Sequence, residues 1–567
     1  MQNRSLSAQL LWLLPIAFLL LFFFYPLSSI LGLSLEYSQG GLGSVFAEAL
    51  GNPRIRSVIA FTFWQAFLSL LLTLAVGLPA AWIFARFEFP GKKYLRALSA
   101  VPFVLPTLVV AAAFSAILGP RGWINLWLMD WLALDSPPIV FMNTFAAILV
   151  AHVFYNTTIV LRMLGDFWSR IDQRIEQAAK TLGASSWQVF RQITLPLLMP
   201  AILAASLLVF LFDFTSFGVV LILGGPGFST LEVEIYTQAT AFFNLPLAAV
   251  LSIIQIGITL TLSLVYSRLS AKLSRPIRLS NSRGSSKPLK NLRSRAWISA
   301  YLLLLGLFFI TPLLGLSARS LTTLGTDRQQ NDLSRTQFTV SHYQSLFEQR
   351  DDLFFAQPSR ALQVSFIYGA ATVLLTMLIG LPAAWGLAKR GSTWIARVID
   401  PLLMLPIGTS AVTLGLGFIV ALDQPPLDLR ASPLLVPLAH SLVALPFVVR
   451  SLTPALKSIR PEIRQAAAVL GANPSQILRN VDLPLVGKAV LVAASFAFSI
   501  SLGEFGATAL IARPEFPTIP TMIFRLLGQP GAAHYGQAMA LSTILMLASA
   551  GAVLSIEGLR IAEVGEF

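Results

Sequence analysis

Apolar residues run in stretches of about twenty or more, separated by short polar segments, from one end of the chain to the other. Roughly twenty apolar residues suffice for a helix to cross a bilayer. Candidate spans on that measure fall at 9–34, 57–85, 98–119, 143–164, 197–223 and 243–267, then at 296–316, 362–388, 400–422, 432–453, 485–511 and 537–557. The pattern predicts an all-α integral membrane protein of about twelve transmembrane helices, six in each half. The run from Leu10 to Leu33 is too long for a signal-peptide core and lacks a small-residue cleavage pattern, so it is read as the first membrane helix.

The halves repeat one another. Glu176-Gln177-Ala178-Ala179-Lys180-Thr181-Leu182-Gly183, followed by Ile193-Thr194-Leu195-Pro196, comes round again as Arg464-Gln465-Ala466-Ala467-Ala468-Val469-Leu470-Gly471, followed by Val481-Asp482-Leu483-Pro484. The offset is 288 residues throughout both stretches. Gly77-Leu78-Pro79-Ala80-Ala81-Trp82 also matches Gly380-Leu381-Pro382-Ala383-Ala384-Trp385, here at an offset of 303. The first half therefore carries about fifteen extra residues, placed at Gly119 to Pro138 with Trp123, Trp127 and Trp131, aromatics that suit an interfacial helix in the outer headgroup belt.

Composition and charge agree with the membrane reading. Of the 567 residues 55% are hydrophobic and 12% charged, about half the charged share of a soluble domain. The net charge of +14 sits mainly at the ends of apolar spans, where it sets topology rather than binding nucleic acid. Residues 268–295 hold nine Lys or Arg and no acid, which marks a flexible cytoplasmic linker between a first half at 1–267 and a second at 296–567. Counting spans from that linker puts both alanine-rich segments inside. Segments 35–55, 120–142 and 317–360 then lie outside, with acids that nearly balance their bases. The chain has no cysteine, which excludes disulfides and thiolate chemistry, and no GxxxxGK[ST] loop to cradle phosphates. Any nucleotide energy must come from a partner.

Two sets of residues carry candidate function. Ala178, Ala179, Ala466 and Ala467 leave a helix surface with little side-chain relief, which lets another protein approach closely and reads as a docking socket made twice. Inside the membrane, Asp213-Phe214-Thr215-Ser216-Phe217-Gly218 aligns with Ser501-Leu502-Gly503-Glu504-Phe505-Gly506. Asp213 and Glu504 put carboxylates into apolar helices, where an ionised group needs water or a partner. With the rings of Phe214, Phe217 and Phe505, and with Ser216 and Ser501 alongside, they are candidates for a path favouring a cation. His152 and His440 are symmetry mates, read as interhelical hydrogen-bonding groups rather than metal ligands. No spacing fits a hydrolytic triad, and no catalytic or metal-binding residue is assigned.

The stretch Glu176-x-Ala178-Ala179-x3-Gly183 with Ile193-x-Leu195-Pro196 resembles the cytoplasmic "EAA" loop of permeases in binding-protein-dependent ABC importers, and the likeness extends over nearly the whole chain in the fused arrangement used for thiamine and ferric iron. The resemblance implies a type I importer-like fold in a bacterial inner membrane. It implies two copies of a cytoplasmic ATPase docking on Glu176, Ala178, Ala179, Gly183, Leu195 and Pro196 and on Arg464, Ala466, Ala467, Gly471, Leu483 and Pro484. It also implies one extracytoplasmic binding protein, and ATP and Mg held by the partner rather than by this chain. The passenger it favours is thiamine or a related organic cation, with ferric iron as the alternative. Leu502-Gly503-Glu504-Phe505-Gly506-Ala507 is also similar to a string in molybdate and sulfate permeases, so Glu504 is expected to bond a helix end. Arg464 departs from the motif, and its reversed charge leads to the expectation that the first socket docks more strongly. An ion-coupled secondary transporter using Asp213 and Glu504 is the reading from another class; it predicts uptake without an ATPase.

Overall fold

The computed structural model describes residues 12–36, 42–273, 287–288, 292–323, 337–348, 356–390, 393–423 and 427–564. The first half contains α1 (Trp12–Leu35), α2 (Pro53–Arg86), α3 (Lys92–Val104), α4 (Thr107–Leu118), α5 (Trp123–Leu132), α6 (Phe145–Ser169), α7 (Gln173–Thr181), α8 (Leu195–Phe214), α9 (Leu231–Thr240) and α10 (Leu245–Leu273). The second contains α11 (Leu292–Ser320), α12 (Pro358–Arg390), α13 (Trp394–Met404), α14 (Ala411–Ala421), α15 (Leu435–Ser458), α16 (Pro461–Val469), α17 (Gly487–Gly503), α18 (Gly506–Ile511), α19 (Ile519–Leu527) and α20 (Ala532–Val564). Among the described residues nine helices are long and apolar enough to cross a membrane, and up to eleven if two bent pairs count as single spans. The twelfth expected span, 537–557, falls within α20.

Four of the expected spans are broken. The span at 98–119 divides at Leu105–Pro106, and the one at 197–223 stops at Phe214 before a wide turn at Val220–Gly224. The span at 400–422 bends by 99° between Trp394–Gly408 and Ala411–Ala421. The span at 485–511 opens at Glu504–Phe505. Leu105 shows one cause: its ψ of 137° is extended, as a residue before proline prefers. The breaks lie against one another. A Cβ on Gly218 would collide with Thr107 Oγ1, one on Gly503 would come within 3.2 Å of Pro106, and one on Gly506 within 3.0 Å of Ala411.

Repeated packing follows from the repeated sequence. α2 lies along α6 and α12 along α15. Gly77 is held so close that a Cβ there would meet Val160 Cγ1 at 2.5 Å; Gly380 would meet Val448 Cγ1 at 2.8 Å. Ala80, Ala81, Ala383 and Ala384 are buried beside them, so the shared Gly-Leu-Pro-Ala-Ala-Trp string makes two close helix crossings.

The halves are interlocked rather than side by side. Trp12, Phe18, Leu19 and Phe23 of α1 belong to a core with Leu403, Leu414, Phe418 and Leu435 of the second half. Leu305, Phe309 and Leu316 of α11 pack in return with Leu108, Val109 and Ala112 of α4. The linker is shorter than expected, since α10 continues to Leu273 and α11 begins at Leu292. Two of its residues, β2 (Lys287–Pro288), pair in parallel with β1 (Phe87–Glu88) of the first cytoplasmic loop. Residues 274–286 and 289–291, and the outer acids Asp327, Asp332, Asp351 and Asp352, lie outside the described residues. On α5, Trp127 and Trp131 are exposed and stack at 5.5 Å, as an interfacial helix requires.

Candidate functional site

Each alanine-rich segment is a short helix with no buried residue, α7 in one half and α16 in the other. Gly183 (φ +89°) and Gly471 (φ +87°) end them in the left-handed conformation that glycine adopts without strain. Ala184 N–H then reaches Ala179 O and Gly183 N–H reaches Lys180 O, both at 3.0 Å; Ala472 and Gly471 repeat the pair on Ala467 and Ala468. This cap turns the chain and leaves Leu182 and Leu470 each 88% exposed. The segments are therefore projecting knobs rather than recessed sockets, with Ala178, Ala466 and the two leucines uncovered.

Leu195-Pro196 and Leu483-Pro484 stand apart from that surface. Proline has no N–H for the carbonyl four residues back, and the preceding turns widen so that Leu195 N–H bonds Phe190 O and Leu483 N–H bonds Leu478 O. Leu195-Pro196 opens α8, whereas Leu483-Pro484 lies in a short turn, Leu483–Leu485, set at 75° to α17.

Glu176 and Arg464 are also occupied within the chain. Glu176 forms an ion pair with Arg86 and accepts from Thr194 Oγ1 at 2.8 Å. Arg464 pairs with Asp482 at 2.7 Å and donates to Leu456 O at 3.2 Å. Asp482 occupies the position equivalent to Thr194 and is fully buried, also accepting from Trp385 Nε1 at 3.1 Å. The second half thus moves the acid from the knob helix to the turn before Leu483-Pro484 and neutralises Arg464 in place.

At membrane depth the four helix breaks enclose a cavity of about 450 Å³. Both halves line it: Phe103, Pro106, Phe212, Asp213 and Phe217 from one, and Ser410, Phe447, Phe496, Glu504 and Phe505 from the other. Irregular backbone is tolerated in a bilayer where it faces protein or a cavity, so the breaks and the cavity explain each other. Phe217 and Phe505, symmetry mates, stack at 5.3 Å. Tyr236 continues the row from Phe217 at 5.2 Å and Phe524 from Phe505 at 5.4 Å. Tyr236 and Phe524 are also 288 residues apart, so the pseudo-two-fold passes between the two central rings.

A histidine flanks the cavity in each half. His152 contacts Ser69 Oγ at 2.9 Å and Ser216 Oγ at 2.8 Å, with Asp213 Oδ1 at 3.4 Å. His440 contacts Ser501 Oγ and Thr508 Oγ1, both at 2.8 Å, with Glu504 Oε2 at 3.2 Å. Ser216 is equivalent to Glu504 and Asp213 to Ser501, so acid and serine have changed places about matching imidazoles. Both histidines bridge helices. Among the described residues no group of three or more His, Cys, Asp or Glu could hold a metal ion.

Comparison with known proteins fits this geometry. Residues 74–278 match the family model described as "Binding-protein-dependent transport system inner membrane component". The "Thiamine transport system permease protein ThiP" of Salmonella typhimurium is 26% identical over 520 residues, covering 91% of each chain. Its namesakes in Escherichia coli (28%, 83% of each chain) and Haemophilus influenzae (28%, 90% of this chain and 89% of that one) are similar over the same two-half length. Over most of its length this chain is similar to permease subunits of binding-protein-dependent importers. A chain from the crystal structure of a bacterial alginate ABC transporter in complex with alginate pentasaccharide-bound periplasmic protein is also similar, at 20% identity and a TM-score of 0.40, covering 48% of this chain and 96% of that one. The permease is a multi-pass protein of the bacterial inner membrane.

Of the pathway residues expected from sequence, Asp213, Ser216, Phe217, Glu504 and Phe505 line the permease cavity. Phe214 does not: it is fully buried against Phe63 at 5.1 Å, because α8 still holds it on the helix face opposite the break. Ser501 does not either, being turned to His440 and to Thr372 Oγ1 at 3.2 Å. Glu504 bonds a helix end as expected, accepting from Ala507 N–H at 2.8 Å and from Thr508 N–H at 3.1 Å and Oγ1 at 2.5 Å at the start of α18. Glu232 is the acid that sequence reasoning missed. It lies buried on α9, accepts from Ser410 Oγ of the other half at 2.5 Å and from Gln255 Nε2, and reaches the cavity. Its signal was an acid set between Leu231 and Val233 outside any twenty-residue apolar run, where a hydropathy window assigns a loop.

Proposed function

We propose that this permease carries thiamine, or a closely related organic cation, into the cell. One extracytoplasmic binding protein delivers the solute, and two copies of a cytoplasmic ATPase, which hold the ATP and Mg, drive the cycle. The observation that carries the reading is the pair of exposed, identically capped knobs, α7 and α16, placed on either side of a cavity that sits on the pseudo-two-fold. Leu182 and Leu470, fully presented to the cytoplasm, offer apolar contact to a partner groove, and Ala178, Ala179, Ala466 and Ala467 allow close approach. Glu176 and Arg464 hold the knobs to the membrane helices, so a push on a knob reaches α8 or α17 through Thr194 or Asp482. The Phe217–Phe505 stack joins the two halves at the cavity wall, and parting those rings is the step that would open the path outward.

The substrate reading is supported by the names of the relatives and by a cavity with acids, aromatic rings and no Lys or Arg among the described residues. Hard ferric iron favours a convergent shell of oxygen ligands, and among the described residues no group of three or more His, Cys, Asp or Glu is placed to hold a metal ion. Uptake of labelled thiamine by proteoliposomes holding permease, ATPase and binding protein tests the proposal. Thiamine uptake that needs ATP is the expected result; uptake of ferric iron instead, or transport without the ATPase, overturns it.

A further inference from the structure

Hydrogen-bond accounting separates the three carboxylates that line the cavity. Glu504 has both oxygens engaged by Ala507 and Thr508, and Glu232 has both engaged by Gln255 and Ser410. Asp213 differs. Asn156 Nδ2 donates to its Oδ1 at 2.6 Å, and Gln65 Nε2 fixes its backbone carbonyl at 2.7 Å, but Oδ2 is buried without a hydrogen-bond partner among the described residues. Two further cavity-lining groups share that condition, the Tyr155 hydroxyl on α6 and the Ser499 hydroxyl on α17. Buried polar groups in proteins are almost all paired, so three unpaired ones around one cavity mark the place of something that pairs with them. No Lys or Arg lines the cavity among the described residues to balance Asp213, and Phe103, Phe212, Phe447 and Phe496 supply faces for a flat ring. The volume lies within the range of small-molecule sites.

We infer that the permease has its own binding site for a heteroaromatic monocation, with Asp213 as the charge partner, Tyr155 and Ser499 as hydrogen-bonding partners and the four phenylalanines as walls. Glu504 and Glu232 hold the architecture and do not touch the passenger. The site deepens the thiamine reading and rests on it for the identity of the cation. Asp213 has no acidic mate in the second half, where Ser501 stands. The cavity therefore takes one cation, seated off the pseudo-two-fold toward the first half.

Equilibrium binding of radiolabelled thiamine to the purified full-length permease with its ATPase, without binding protein, tests the site. Wild type is expected to bind saturably. Asp213→Asn is expected to weaken binding by at least about tenfold, with Asp213→Glu recovering part of the loss and Tyr155→Phe and Ser499→Ala each costing several-fold. Excess N-benzylpyridinium, an unrelated heteroaromatic cation, should displace thiamine, and benzyl alcohol should not. Binding unchanged in both Asp213→Asn and Tyr155→Phe overturns the site, and so does a wild type that binds no thiamine. ATP hydrolysis stimulated by loaded binding protein is read in the same preparations. If stimulation persists while wild type binds no cation, the site falls and the importer reading stands; if stimulation is absent as well, the importer reading falls with it.

Discussion

At the residue scale, the informative positions are those where the two halves exchange polar groups while keeping the backbone. Glu176, Thr194 and Arg86 in one half answer to Arg464, Asp482 and Lys389 in the other. The Arg464–Asp482 pair is buried on the Asp482 side, and removing one member leaves the other unpaired. Asp482→Ala is expected to destabilise the permease by roughly 1–3 kcal/mol, read as a lower melting temperature in detergent. Arg464→Glu alone sets two carboxylates together and should impair folding and uptake. Adding Asp482→Thr and Lys389→Arg transplants the first-half set and should restore both; a triple variant no better than Arg464→Glu would refute the exchange. Asp482 was visible in the repeat, but its role was not: the sequence placed Arg464 beside a missing glutamate, and the neutralising acid lies eighteen residues away on another helix.

At the element scale, local chemistry was legible wherever it acts between near neighbours. Gly183 and Gly471 cap α7 and α16 because the turn needs φ above zero, and open space around both shows that room is not the constraint. Gly183→Ala is expected to strain that cap by about 1 kcal/mol and to reduce ATP-driven uptake several-fold while leaving the melting temperature of the membrane core nearly unchanged. Gly183→Asn should retain more uptake, since asparagine tolerates the left-handed region. Equal loss in the two variants would point to size rather than backbone conformation. The helix breaks were less legible. The span at 98–119 runs straight through Pro106, and a hydropathy window passes through Thr215–Gly218 and Glu504–Phe505 without interruption, because those breaks hold their place through contacts with Thr107, Pro106 and Ala411 from distant parts of the chain.

At the scale of the whole molecule, two features bear on the transport cycle. The Phe217–Phe505 stack is a contact between halves, and the chain has no native cysteine to interfere. Phe217→Cys with Phe505→Cys should be joined by a short bifunctional thiol reagent with loss of uptake, and a reversible reagent should return it on reduction; undiminished uptake in the crosslinked protein would exclude opening between these rings. Because α1 packs on the second half and α11 on the first, chains divided within 274–286 and produced together are expected to co-purify as a complex, whereas the second half without α1 should aggregate with its core face uncovered. The sequence by itself determined the membrane class and the duplication, since hydrophobic length and repeated spacing are properties of contiguous residues. Only the tertiary structure decided that α1 and α11 change sides, that Arg464 is neutralised from within, and that, of the three cavity carboxylates, Asp213 keeps an oxygen without a hydrogen-bond partner among the described residues. Those depend on which distant groups meet, and burial makes each unpaired or paired polar atom count by its neighbours in space rather than in sequence.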